Sequence, residues 1–104
     1  MVGETGYAAR VIPYEGAKLV NICDAELLGQ TVRGDGLEMK ITREYYCDGI
    51  VSEEKALQLV SDGSIVNLAG ARIVSKVVKA QLASEKATRI VGSVPFLMIY
   101  KFMG

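Results

Sequence analysis

Residues 51–83 constrain the fold more than any other part of the chain. They read as a helix, a short strand over residues 64–68, a tight turn at Asn67-Leu68-Ala69-Gly70, and a second helix over about residues 68–83. Ser52 is placed to cap the first helix, with Glu53 and Glu54 in the first turn, where the positive end of the dipole favours acids. Ala56, Leu57, Leu59 and Val60 give it an apolar side, and Gly63 is its expected stop. In the second helix Ile73, Val74, Val77, Val78 and Leu82 share one face at the helical period. Arg72, Lys76 and Lys79 lie opposite, and this helix contains no acid. Exposed helices usually interleave signs, because like charges at i,i+4 repel. The basic stripe therefore reads either as a face for an anionic partner or as a solvated surface.

The flanking segments complete a sheet. Residues 7–12 and 18–23 read as a hairpin around Pro13-Tyr14-Glu15-Gly16. Asp24 reads as the cap of a single helical turn, Ala25-Glu26-Leu27-Leu28, stopped by Gly29. Residues 31–33 and 37–42 flank the turn Gly34-Asp35-Gly36, and Leu37, Met39 and Ile41 alternate with polar residues. Tyr45-Tyr46-Cys47-Asp48-Gly49 reads as a compact loop. Residues 88–91 and 96–102 read as closing strands, the last apolar on both faces. A two-faced strand is either covered on both sides or left as an edge for a second subunit. That points to a homodimer through the C-terminal strand. The expectation is a single α/β domain over residues 1–104, with α+β as the open alternative. Its parts are a mixed sheet, an N-terminal hairpin, two main helices and a right-handed strand–helix–strand crossover over about residues 64–91.

Composition excludes more than it proposes. Half of the 104 residues are hydrophobic, enough to form a core. The most apolar run, residues 90–103, is interrupted by Gly92, Ser93, Pro95 and Lys101, so no membrane span is expected. The start of the chain lacks a signal peptide's basic and apolar regions, which makes the cytoplasm the expected location. The chain is neutral, with five basic and eight acidic residues in positions 1–52 against seven and four in positions 53–104. Histidine is absent, which removes histidine-based triads, histidine-ligated zinc and histidine proton relays. Cys23 and Cys47 make neither a zinc ribbon nor a CxxC pair and read as buried reduced thiols. Asp24, Glu26, Asp48 and the tyrosines are the acid–base candidates, but nothing pairs them, so no catalytic residue, metal or cofactor is assigned.

Three ordered segments carry a resemblance. They are Cys23-Asp24-Ala25-Glu26-Leu27-Leu28-Gly29-Gln30-Thr31, then the run from Tyr45-Tyr46-Cys47-Asp48-Gly49 through Ser52-Glu53-Glu54-Lys55-Ala56, then Val66-Asn67-Leu68-Ala69-Gly70-Ala71-Arg72. Together they resemble the archaeal domain-of-unknown-function family 424, over most of residues 18–95. The resemblance implies a small cytoplasmic archaeal protein without an established activity. The chain departs from the family's pattern at the Cys47-Asp48 loop, at Ala71 where members tend to carry glutamate, and at Phe96 where they tend to carry histidine. No catalytic role is carried over from those positions. In a thermophilic source the resemblance also admits a Cys23–Cys47 disulfide.

Two functions follow as expectations. In the leading one, the chain is a non-enzymatic accessory protein that binds RNA or a ribonucleoprotein through Arg72, Lys76 and Lys79, joined by Lys86 and Arg89. The alternative is a small anionic ligand, a nucleotide or phosphometabolite, held at the turn between Asn67 and Gly70. There Asn67 would cap the helix, Gly70 would admit the ligand and Arg72 would pair with it. A purely structural role, pairing with another protein through the terminal strand, is a third reading.

Overall fold

The computed structural model describes residues 6–101. The expectations for the chain start, and for Phe102 as the end of the last strand, lie outside the described residues.

Six strands form one sheet in the order β5-β1-β2-β6-β8-β7. Strands β1 (Tyr7–Tyr14) and β2 (Ala17–Asp24) make the expected hairpin, its turn held by Glu15 and Gly16 at φ 48° and 83°. A 3-10 turn, Ala25–Leu27, leads to a separate two-stranded ribbon, β3 (Thr31–Gly34) and β4 (Leu37–Lys40). Residues 45–49 are not simply a loop. A one-turn helix α1 (Arg43–Tyr46) is capped by the Thr42 hydroxyl, and β5 (Gly49–Val51) then pairs with β1 at the sheet edge. Ser52 caps α2 (Glu53–Asp62) and Gly63 ends it, as the sequence predicts.

The next unit departs from expectation at its joints. Strand β6 (Ile65–Ala69) ends one residue later than predicted and takes in Asn67, Leu68 and Ala69 of the predicted turn, so α3 spans only Ala71–Lys79. Leu68 and Ala69 satisfy their backbones in a ladder with β8 rather than in a helix. Strand β7 (Arg89–Val91) and β8 (Val94–Tyr100) close the sheet. Strands β6 and β7 both run antiparallel to β8, which lies between them, and β2 and β6 are parallel. The sheet is therefore mixed, in an α+β arrangement. Strand β8 is flanked by β6 along Phe96–Tyr100 but by β7 only along Val94–Phe96, so the expected free edge is confined to its second half.

Alternation sorts the side chains into two layers. On one face Val20, Ile22, Val66, Leu68 and Leu97 pack against Ile73, Val74 and Val77 of α3 and Ala56 and Val60 of α2. On the other, a smaller cluster includes Ala8, Cys23 and Ala69, roofed by Val32, Ile41 and Tyr46. The β3–β4 ribbon reaches the sheet where Gly34 meets Gly92. A β-carbon on Gly34 would collide with the Gly92 backbone, so only glycine permits that approach. No helix of the described residues is long and apolar enough to cross a membrane.

Candidate functional site

The five predicted site residues do not form one site. Asn67 sits in mid-strand on the sheet face away from α3, so it caps nothing. Gly70 takes the N-cap position at φ 123°, with no side chain to offer. The cap comes from Asp24, which leaves its own 3-10 turn without a side-chain cap. Its carboxylate accepts from the backbone amides of Arg72 and Ile73, both at 2.9 Å. A β-carbon on Gly70 would collide with that carboxylate. The helix start expected to receive a foreign anion is thus occupied by the chain's own. Burial raises the Asp24 carboxyl above its ordinary range, against the opposing pull of the two amides and the Arg72 charge.

The basic stripe is also largely matched. Arg72 makes a two-pronged contact with Glu26, Nε to Oε2 at 3.0 Å and Nη2 to Oε1 at 2.5 Å. Its Nη2 also donates to the Gly6 carbonyl at 3.0 Å, and the guanidinium lies 4.6 Å from the Tyr7 ring centre. The hydrogen bond from Arg72 holds Glu26 below its ordinary value, while Glu26 raises Arg72. Lys76 reaches Glu53 at 3.5 Å. Of the three, Lys79 alone has no carboxylate within ion-pair distance among the described residues.

The other face of the sheet carries a cleft of about 620 Å³. Its floor is Asn67 of β6 with Phe96 and Met98 of β8, and Arg89 of β7 stands beside Phe96 in register. Its wall is Met39 and Lys40 of β4 and Thr42, Tyr45 and Tyr46 at α1. The two tyrosine rings meet edge to face at 5.0 Å, Tyr46 buried and Tyr45 46% exposed. No carboxylate lines the cleft, and neither Lys40 nor Arg89 has an acidic partner among the described residues. A neutral protein has therefore gathered two unmatched cations and several aromatic surfaces in one concavity.

A buried amide pair anchors the wall to the floor. The Tyr45 carbonyl can only accept, so Asn21 turns its Nδ2 toward it, at 3.0 Å. Asn21 then presents Oδ1 to Asn67, whose Nδ2 donates at 2.8 Å. The relay has one direction, and it ends with Asn67 Oδ1 buried and unpartnered. Such an atom costs about 1–3 kcal/mol. Cys23 and Cys47 belong to the same layer and are free thiols, and burial pushes Cys23 up to about 12. Among the described residues, no cluster of three or more acidic or cysteine side chains is arranged to hold a metal.

The fold and cleft define a small α+β protein with one helix-covered sheet face and one partly open face. The chain belongs to the family described as protein of unknown function (DUF424), whose profile matches residues 12–102. It is similar in fold to an uncharacterised conserved protein from Methanopyrus kandleri known from a crystal structure. That likeness has a TM-score of 0.75 at 21% identity and covers 90% of each chain. The comparison with curated proteins returns no match. Two of the three segments that carry the family resemblance meet at the cleft, through Tyr45, Tyr46 and Asn67, with Phe96 beside them.

Proposed function

We propose that this protein is a non-enzymatic cytoplasmic accessory protein that binds RNA, alone or in a ribonucleoprotein, and that it does so through the open sheet face rather than through α3. The observation that carries the reading is the pairing of charges. Arg72 and Lys76 already have carboxylate partners, whereas Lys40 and Arg89 flank an acid-free cleft. Cations interleaved with Tyr45, Phe96 and Met98 suit a ligand that brings phosphates and flat bases together. The small-ligand reading moves to the same place, since the cleft volume accommodates a mononucleotide while the Gly70 turn is filled by Asp24.

The test is fluorescence anisotropy with a labelled single-stranded RNA across a salt series. Replacing Lys40 and Arg89 together by glutamine should weaken binding and flatten the plot of log affinity against log salt by about 1.4, that is ~0.7 for each phosphate no longer neutralised. Replacing Lys76 and Lys79 by glutamine should leave the slope unchanged. The reverse outcome would return the interface to α3, and no binding by the native protein would end the RNA reading.

A further inference from the structure

We infer that the RNA partner is a single strand laid along β8, with a base in the cleft beside Phe96 and successive bases on Met98 and Tyr100. The inference rests on the RNA reading above and adds the form, the path and the length of the ligand. Phe96, Met98 and Tyr100 are alternate residues of one strand, so all three point to the open face at intervals of about 7 Å. That interval matches successive bases of an unstacked strand and not the tight stack of a duplex. The three become more open along the path. Phe96 is half-buried in the cleft, Met98 is 50% exposed and Tyr100 is 57% exposed. Ladder register extends the end of the path sideways, because Tyr100 lies opposite Ile65, Ile65 opposite Leu19, and Leu19 opposite Ile12. Beyond Phe96 the β7 side of β8 has no strand partner among the described residues, and Met98 and Tyr100 are both exposed there.

Charge selects the occupant. Among the residues that the ladders place on this face of the six strands, Arg10 and Arg89 are the only charged ones, and no carboxylate is present. Arg10 is held at one side by the Glu44 carbonyl, at 2.8 Å, and by Asp48. A second copy of the chain, docked isologously, would set this face against itself. It would bring Lys40 and Arg89 of each copy no acid from the opposing strip. A polyanion with flat apolar bases complements both the cations and the exposed Met98 and Tyr100. A duplex presents phosphates without free base faces and has no use for the row on β8.

The experiment measures affinity for uridine 5′-monophosphate and for oligouridylates of two, three, four and six nucleotides, with a self-complementary RNA duplex as a control. Affinity should climb steeply to three or four nucleotides and then flatten, and the duplex should bind at least tenfold more weakly. Tyr100→Ala should weaken the tetranucleotide by about tenfold, the worth of one stacked base, and leave the mononucleotide unchanged. Tyr100→Phe should restore the native value, since the ring and not the hydroxyl is the platform. Tyr100 is exposed at the end of its strand, and a native melting temperature for both variants separates lost binding from lost folding. Equal affinity for the mononucleotide and the hexanucleotide would overturn the path while leaving the cleft reading intact. Absence of all RNA binding would overturn the reading beneath it. A dimer by light scattering that Tyr100→Ala dissociates and the tetranucleotide leaves intact would assign the strip to a second copy and also overturn the path.

Discussion

The two faces of the sheet differ in how many of their polar groups they match, and neither matches them all. On the α2–α3 face most of the demanding groups are matched from within the chain, Lys79 and the buried Thr88 hydroxyl beside α3 excepted. The free amides at the start of α3 meet Asp24, Arg72 meets Glu26, and Lys76 meets Glu53. On the other face Arg10 meets Asp48, but Lys40 and Arg89 have no acidic partner among the described residues, and the relay from Tyr45 through Asn21 ends on an unpartnered Asn67 oxygen. The difference teaches that charge in the sequence is a poor guide to an interface until its partners are known.

The contrast can be broken experimentally, and the largest effect belongs to the matched face. Asp24→Ala leaves the Arg72 and Ile73 amides without acceptors in a buried setting and should cost about 3 kcal/mol in urea unfolding. A loss under about 1 kcal/mol would mean that the seat is easily refilled by water, and that an external anion could take it. Next comes the relay. Asn21→Leu strands both the Tyr45 carbonyl and the Asn67 amide, for an expected loss of about 2 kcal/mol. Joining it to Asn67→Leu should cost clearly less than the sum of the two single changes, because the second replacement removes a group the first had orphaned. Strict additivity would show that the two amides are not coupled.

The smallest effect is at the exposed pair. Glu26→Gln should lose under about 1 kcal/mol near neutral pH. Its sign with pH is definite. The folded protein holds Glu26 below its ordinary 4.5, so its contribution is complete above that value and disappears as pH falls through the lowered one. Asp24, raised by burial, works the other way and loses stability as pH rises through its folded value. The difference in unfolding midpoint between native and Glu26→Gln should therefore shrink on acidification. A difference that persisted at low pH would show that the hydrogen-bond geometry matters and the charge does not.

What could be read in the sequence was whatever is written locally. The β1–β2 turn, the Ser52 cap with its Gly63 stop, and the apolar face of α3 all depend on neighbours a few residues apart. Strand β5 is illegible in the sequence because three residues cannot display a period of two, and α1 because a single turn displays no helical face. Asn67 read as a cap because asparagine before a helix usually is one, while the β8 ladder that extends β6 past it lies some thirty positions away. The Asp24 cap and the Glu26 pair join residues 48 and 46 positions apart from Arg72, beyond any local pattern. One signal did exist. A helix that starts after Gly70 with no acid in its first turn has no cap of its own and must find one elsewhere. The cleft was illegible for the same reason, since Lys40, Tyr45, Asn67 and Arg89 belong to four different elements.

The parallel pairing of β2 with β6 has a consequence for how such a protein diversifies. Two adjacent strands that point the same way force the chain between them to leave at one end of the sheet and re-enter at the other. Here that excursion carries β3, β4 and α1, the wall of the cleft, as cargo slung outside the central ladder. Lengthening, shortening or rewriting this detour reshapes the pocket without disturbing the pairing of β2 with β6 or of β6 with β8. One scaffold can in this way present many different mouths.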